Sequence, residues 1–327
     1  MNHRLMFLAA LGLLAVSCGK DSSPEPDGSC MEIKVSPEVG MTTRGYNTAE
    51  TLDCFDLYIE NSRNSRYSYT NTRFTRGADG KWTSARQMLW ERPAGTPQHV
   101  KVLAIYPPQE TAGHSLGDTP IALASVESKQ SADSRLSDFM TCVLDESDVS
   151  WNDSRFTPEG ELRLQFIHNM SLLHLEITLG TEFNRGGVPE QNPVTDLKID
   201  GTELRGAYRP AASGGYELVP LSILIGPPFI DAETVYPYEL EWHSAAVVTE
   251  NCRAVYECIL LPQKDVQLTV SFLVDGIPYK WTSEPGVAFT GGEVRTLPLT
   301  VGKDGVIAGD MTVDSWQNGG ENNIGTE

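Results

Sequence analysis

The chain of 327 residues has few cysteines, few basic residues and no apolar run long enough to cross a membrane. Its six cysteines are widely spread and include no Cys-x-x-Cys pair, which argues against a disulfide framework and a zinc site. Lys and Arg total 25 against 44 Asp and Glu, so nucleic acid is not an expected partner. The main apolar run, residues 5–16, is too short for a membrane-spanning helix, which takes about 20 residues.

Motifs of catalysis are also missing. The chain has no G-x-S-x-G elbow, P-loop or H-E-x-x-H helix. His168 and His174 lack an evident third metal ligand, and the acidic residues of 145–153 lack the spacing of a calcium loop. We therefore predict no enzyme, no cofactor and no metal. A glycoside hydrolase is the weakest alternative, because no carboxylate pair can be picked out among so many acidic residues.

The N-terminus has the pattern of an export signal. Arg4 precedes the apolar run 5–16, small residues stand just before Cys18, and the chain becomes polar over 19–27. This pattern is similar to the lipobox of bacterial lipoproteins, with one departure: Ala15 stands where Leu is usual.

The sequence thus predicts a signal peptide over residues 1–17, lipidation of Cys18 and a polar tether over 18–30. Two or more acyl chains on one cysteine would anchor the protein stably to a membrane. The alternative is an ordinary signal peptide, after which Cys18 is an unmodified residue.

Short alternating strands follow one another through the rest of the chain. Residues 31–39, 55–60 and 266–274 alternate apolar with polar side chains, Asp275-Gly276 marks a hairpin turn, and no helical stripe persists. We predict an all-β protein of two antiparallel β-sandwich domains, over 31–155 and 156–327, with an acidic connector at 145–153 between them.

The buried face of the chain changes phase early in the second half. Apolar residues occupy even positions over 162–166 and odd positions over 173–179. Because a slip of one residue turns every side chain to the other face, we predict a bulge or kink at 168–171. Residues 110–135 show little periodicity and are interpreted as a polar loop.

Arg44 is the first arginine after Cys18, and it precedes Gly45 in a break after the strand at 31–39. Such a loop is accessible to an arginine-specific protease. A cut between Arg44 and Gly45 would detach the lipid and the first strand together.

This arrangement resembles the fimbrillin family, the type V pilins and their Mfa-like lipoprotein relatives, and the resemblance covers essentially the whole mature chain. The stretches that carry it are short, but they occur in a specific order. They are the lipobox ending at Cys18, a first strand followed by Thr43-Arg44, residues 52–58, 88–90, 102–107 and 164–170, and Val313-Asp314-Ser315-Trp316 with Gly319-Gly320 after it.

The resemblance implies two transthyretin-like β-sandwich domains and a surface-exposed lipoprotein of the outer membrane that is assembled into fimbriae. It also implies cleavage after Arg44, loss of the first strand and donor-strand exchange with other fimbrial subunits. Ile33 and Val35 would be the residues whose pockets are vacated.

The C-terminus departs from the pattern of a stalk subunit, because residues 317–327 offer only Ile324 as an apolar residue. Met311 and Val313 could serve as donor residues, or the protein could be a tip, accessory or anchoring subunit. The alternative function is a stand-alone outer-membrane lipoprotein that binds a glycan or a host protein without polymerising. The sequence leaves the state of five cysteines open: Cys30, Cys54, Cys142, Cys252 and Cys258.

Overall fold

A computed structural model describes most of the chain after residue 30. The described residues are 31–40, 47–92, 98–109, 115–145, 149, 155–226 and 233–316. They are built almost wholly of strands, so the predicted all-β class is confirmed. The transthyretin-like character of the sandwiches stays an expectation.

The strands are short and are numbered here in chain order. The first eleven are β1 Val35–Val39, β2 Cys54–Asn61, β3 Tyr69–Arg76, β4 Trp82–Ser84, β5 Val100–Tyr106, β6 Ala122–Ser125, β7 Met140–Leu144, β8 Leu162–His168, β9 Ser171–Leu179, β10 Val194–Thr202 and β11 Arg205–Pro210. The others are β12 Tyr216–Pro220, β13 Glu233–Val235, β14 Tyr238–His243, β15 Cys252–Leu260, β16 Gln263–Val266, β17 Thr269–Val274, β18 Ile277–Thr282, β19 Val287–Phe289, β20 Glu293–Gly302, β21 Gly305–Ala308 and β22 Thr312–Ser315.

Helices in the described residues are only short turns. They are α1 Ser222–Ile225 and the 3-10 helices Ser65–Tyr67, Arg135–Ser137 and Thr181–Asn184. In this part of the chain no helix has the length and hydropathy needed to cross a membrane.

A seven-stranded sheet organises the first half, in the order β1-β8-β7-β5-β2-β3-β4. Its β1–β8 pair is parallel and its other pairs are antiparallel. In β8, Leu162, Leu164 and Phe166 are buried while Arg163 and Gln165 are not, which is the alternation of a half-buried strand. The inward residues of this sheet form one apolar cluster, here called the first core.

The second half holds a six-stranded sheet with the path β14-β15-β9-β20-β21, in which β22 also pairs with β20. A four-stranded sheet, β13-β10-β17-β18, has the predicted alternation, with Val270, Phe272 and Val274 buried. Smaller sheets are β12-β11-β6 and β16-β19. The apolar residues of these sheets form a second cluster, here called the second core.

The two cores meet across the seven-stranded sheet. In β2, Phe55, Leu57 and Ile59 belong to the first core, whereas Tyr58 between them belongs to the second. The fully buried Asp56 on the same strand is paired with Arg73 at 2.6 Å. Because both faces of β2 are covered, this strand reads as a continuous buried run rather than as an alternating one.

The predicted change of phase is present, but its cause is a change of sheet. β8 belongs to the seven-stranded sheet, whereas β9, which begins only three residues after His168, belongs to the six-stranded sheet. The side chains change phase because they enter a different core, not because one strand is bulged. We call the two linking residues, Asn169 and Met170, the passage between the sheets.

Two other placements depend on contacts between distant parts of the chain. The segment interpreted as a polar loop contains β6, which pairs with β11 of the second half. β8 lies beyond the predicted boundary at 155/156, yet it is hydrogen-bonded to β1 and β7. The division into two domains stays a prediction. The chain leaves one hydrogen-bonded sheet and enters another at the passage.

Candidate functional site

The first strand lies at an edge of the seven-stranded sheet. Among the described residues β1 pairs only with β8, in parallel, with Val35 opposite Leu162 and Val39 opposite Phe166. An edge strand can leave a sheet by breaking one ladder, whereas a central strand must break two.

A second attachment lies just before β1. The Ile33 N–H donates to the Met88 carbonyl oxygen at 2.9 Å, and the Trp90 N–H donates to the Met31 carbonyl oxygen at 2.9 Å. The segment 31–39 therefore pairs first with residues 88–90, which follow β4, and then with β8.

The side chains that this segment turns inward belong to the first core. Ile33 is 3% exposed and Val35 is 4% exposed. Burial of an aliphatic side chain of this size contributes about 1.5–3 kcal/mol. The outward ion pair between Glu38 and Arg163, at 2.8 Å, is well exposed and contributes little. The predicted displacement of Ile33 and Val35 remains a prediction, and the structure places both where their removal would open the first core.

The predicted lipidation and processing residues, Cys18, Arg44 and Gly45, lie outside the described residues. The structure does describe the chain on both sides of 41–46. On one side, the Gly40 N–H donates to the Phe166 carbonyl oxygen at 3.4 Å.

On the other side of 41–46 the chain is buried at once. Asn47 has no exposed surface, and its Nδ2 donates to the Arg135 carbonyl oxygen at 3.0 Å and to Asp138 Oδ2 at 3.2 Å. The other oxygen of Asp138 lies 2.8 Å from His168 Nδ1, and both of these side chains are fully buried. Burial and the nearby carboxylates of Asp53 and Asp138 raise the pKa of Tyr106 to about 12.

Trp316 completes this arrangement. Its ring stacks on the His168 imidazole, with centroids 4.4 Å apart and planes 9° from parallel. His168 Nε2 is buried and has no hydrogen-bond partner among the described residues. Neither Asp138 nor His168 exposes side-chain surface, so this pair cannot reach a substrate in solution.

Sequence reasoning did not identify the partners of His168, which it considered with His174 as a metal pair without a third ligand. His168 occupies the inward position that follows Leu162, Leu164 and Phe166, and a polar residue there needs a partner. The identity of that partner, Asp138, follows from the pairing of Met140 with His168 in the sheet.

The last described strand has the opposite character to the first. All four residues of β22 are exposed, and Val313 is 47% exposed. β22 pairs with β20, with Val294 opposite Asp314, and buries a large side chain only beyond its end, at Trp316.

The two histidines considered as a metal pair have different partners. His174 lies on β9 and forms a hydrogen bond with Glu257 of β15, whose other carboxylate oxygen accepts from the Tyr238 hydroxyl at 3.0 Å. His168 lies on a different sheet. Among the described residues no cluster of three His, Cys, Asp or Glu is arranged to hold a metal ion.

The four described cysteines form no disulfide with one another. Cys252 and Cys258 lie on one strand, β15, and Cys142 lies in the first core, so all three are buried, while Cys54 is half-buried. Burial raises the pKa of the Cys258 thiol. Cys30 lies outside the described residues.

Comparison with known proteins gives one family match and several structural likenesses. The sequence profile described as fimbrillin-like matches residues 42–316. No curated protein sequence is significantly similar to the chain.

Solved structures with the same fold include two candidate cell adhesion proteins. One, from Bacteroides ovatus, has a TM-score of 0.57 and 11% identity, with 88% of this chain and 98% of that chain covered. The other, from Bacteroides uniformis, has a TM-score of 0.54 and 17% identity, with 89% and 100% covered. The tip fimbrial protein Mfa3 from Porphyromonas gingivalis, truncated at its C-terminus, has a TM-score of 0.47 and 8% identity, with 88% and 98% covered.

Proposed function

Because the chain belongs to the fimbrillin-like family, we propose that it is a non-enzymatic structural or adhesive subunit of a cell-surface fimbria. In this proposal it is exported as an outer-membrane lipoprotein through Cys18, cut between Arg44 and Gly45, and assembled with other fimbrial subunits by strand exchange.

The observation that carries the proposal is the position of β1. It is an edge strand, its inward residues complete an apolar core, and it lies directly before the segment that contains Arg44. Cleavage in that segment would cut the covalent link between β1 and the rest of the sheet, so that only non-covalent contacts hold it.

Loss of β1 would leave two unsatisfied features together. The backbone groups of β8 that pair with β1 would lack partners, and the pockets of Ile33 and Val35 would be open. A strand from another subunit satisfies both, since an added strand supplies main-chain hydrogen bonds and alternate side chains for the pockets. If each subunit fills the groove of the next, the contact does not close on itself and a fibre grows.

The composition of residues 312–327 supports an acceptor role more strongly than a donor role. Residues 317–327 contain one apolar residue, Ile324, and the exposed side chains of β22 include only Val313 as an apolar one. A donor strand needs several apolar residues in alternation. A tip, accessory or anchoring subunit accepts a strand without giving one, and these positions fit the chain better than a stalk position.

The first experiment is the intact mass of the protein recovered from the cell surface, before and after an arginine-specific protease. A mass that begins at Gly45, with mixed oligomers, is the expected result. An acylated mass that begins at Cys18, survives the protease and belongs to a monomer would contradict strand exchange. It would leave an anchor, or a stand-alone lipoprotein that binds a glycan or host protein.

A peptide experiment tests the groove itself. Protein cut at Arg44 and stripped of β1 should bind a synthetic peptide of residues 31–40, since the peptide restores the β8 ladder and both pockets. The control peptide carries Ile33→Asp and Val35→Asp and should not bind, because it would bury two unpaired carboxylates. Equal binding of both peptides would show that the pockets do not select the strand.

A further inference from the structure

The strongest unexplained feature of the molecule is the buried polar cluster formed by Asn47, Asp138, His168 and Trp316. Buried polar groups are costly unless they are satisfied, so a chain that places three of them in one apolar region needs a compensating role for them. We call this group the terminal clamp, because its members include the first described residue after 41–46 and the last described residue of the chain.

The N-terminal side of the clamp is Asn47. This residue is the third after Arg44, and its amide is fixed by the Arg135 carbonyl oxygen at 3.0 Å and Asp138 Oδ2 at 3.2 Å. Nearby, the Thr48 N–H donates to Thr51 Oγ1 at 2.7 Å, so the chain enters a closed turn at once. The start of the body is therefore held by its own contacts and does not depend on β1.

The C-terminal side of the clamp is Trp316. Its ring stacks on His168, and its backbone N–H donates to the Gly292 carbonyl oxygen at 2.8 Å. The Gly292 N–H in turn donates to the Met170 carbonyl oxygen at 2.8 Å. Trp316 is thus attached to His168 by its side chain and, through Gly292, to the passage between the sheets by its backbone.

The Asp138–His168 pair joins these two sides. One carboxylate oxygen of Asp138 accepts a hydrogen bond from the Asn47 amide, and the other is hydrogen-bonded to His168. The Trp316 ring stacks on His168. The backbone next to the pair is also fixed, because the Asn169 N–H donates to the Phe139 carbonyl oxygen at 2.9 Å. Two segments that are far apart in sequence therefore meet on one buried, hydrogen-bonded pair.

We infer that the terminal clamp holds both ends of the mature body at the passage between the sheets, so that cleavage within 41–46 frees β1 and nothing else. This inference rests on the proposed processing at Arg44. It adds that the new N-terminus stays in place after the cut, and that β22 cannot leave the six-stranded sheet until Trp316 leaves His168.

The test uses the chain that follows the signal segment, with residues 41–46 replaced by the thrombin recognition sequence Leu-Val-Pro-Arg-Gly-Ser. That sequence has the same length and keeps Arg44 and Gly45, so the cut falls at the predicted site. Hydrogen exchange read by mass spectrometry follows residues 47–53 and 312–316 before and after thrombin. Departure of the fragment that carries β1 is followed separately by size-exclusion chromatography.

With the clamp intact, we expect the cut to leave exchange at both ends within about twofold of the uncut protein. Asn47→Ala leaves the Asp138 carboxylate short of a donor, and should speed exchange at 312–316 in the cut protein by about tenfold or more. Trp316→Ala should speed hydrogen exchange at residues 47–53 in the cut protein by a similar factor. Trp316→Phe keeps a ring on His168 and should restore protection.

The matched control is Asn184→Ala. Asn184 is also buried and donates to two carbonyl oxygens, those of Val248 and Glu250, neither of which belongs to the clamp. Any change in hydrogen exchange caused by Asn184→Ala should be confined to the residues around Asn184 and should not reach 47–53 or 312–316. If Asn47→Ala does not fold, the comparison of Trp316→Ala with Trp316→Phe, read at 47–53, decides the question alone.

Two results would overturn the inference. In one, cutting the parent protein speeds exchange at 47–53 and 312–316 to the level of the variants. In the other, each substitution affects only its own end of the chain. Retention of β1 after the cut would count against the proposed strand release. Hydrogen exchange at residues 47–53 and 312–316 would still test the clamp in that case.

Discussion

The first and the last described strands are both edge strands, and they are held in different ways. The segment that contains β1 buries Ile33 and Val35 in the first core, whereas every residue of β22 is exposed and only Trp316, beyond its end, is buried. The first described segment is therefore part of a core, while the last pairs with β20 and buries only Trp316. Removing the first would create a groove, and removing the second would uncover little apolar surface.

This difference separates what the two edges could do in the proposed strand exchange. A subunit that accepts a strand needs a removable strand with inward apolar residues, and β1 has them. A subunit that gives a strand needs an alternating apolar tail, which residues 317–327 do not provide. The following predictions test whether the two edges differ as strongly in energy as they do in burial.

The largest effect is expected from Ile33→Ala combined with Val35→Ala. The double variant should lower the free energy of unfolding by about 4–7 kcal/mol, since each change removes buried methyl groups and leaves a cavity. The matched control is Ile307→Ala combined with Val313→Ala, because these side chains are 74% and 47% exposed on β21 and β22. Urea unfolding measures both, and a similar loss in the two double variants would remove the contrast.

Trp316→Ala should cost about 3–5 kcal/mol, the range for a buried aromatic side chain. Thr312→Ala, on the exposed strand just before it, should stay within about 0.5 kcal/mol of the parent. Urea unfolding of the uncut protein measures both changes. A small effect of Trp316→Ala would mean that the end of the chain is held by the β20–β22 ladder instead of by its stacked ring.

Alkaline pH should weaken both cores. Burial raises the pKa of Tyr106 in the first core and of Tyr208 in the second core to about 12 each. The neutral phenol is the form that the folded state favours, so this stability is present below pH about 10 and is lost as pH rises towards 12. Thermal unfolding between about pH 9 and 12, the range set by these pKa values, measures the loss of stability. Tyr106→Phe and Tyr208→Phe should each reduce this loss.

The smallest effect is expected from Glu38→Gln, which removes the ion pair with Arg163 on the outer face of β1 and β8. Both side chains are well exposed, so the loss should not exceed about 1 kcal/mol. Unfolding at low and high salt measures it. A larger loss would mean that charge, rather than the pockets of Ile33 and Val35, keeps β1 in the sheet.

Local patterns were enough to predict the class of the fold and the position of several strands. The alternation of residues 266–274 became β17 and its neighbours, and the even positions of 162–166 became the inward face of β8. The pattern also located the change of phase at His168. Its physical cause was not predicted, because a bulge within one sheet and a passage between two sheets give the same local sequence.

The residues around the candidate site were predicted unevenly. Ile33 and Val35 were singled out by the resemblance to the fimbrillin family, within a strand predicted from its alternation, and both are buried. Asn47 and Asp138 were not, since neither belongs to a motif. Their significance depends on the sheet register that brings Asp138 to His168, and on the return of the chain end to the same point.

By itself, then, the sequence determined the all-β class, the alternating first strand and the apolar-poor tail, because side-chain alternation and composition are local properties. The tertiary structure alone decided that β1 is an edge strand, that β8 and β9 serve different cores, and that Asn47, His168 and Trp316 meet. These facts depend on strand pairing between distant segments, whose register is set by the packing of the whole core and not by any one stretch of chain.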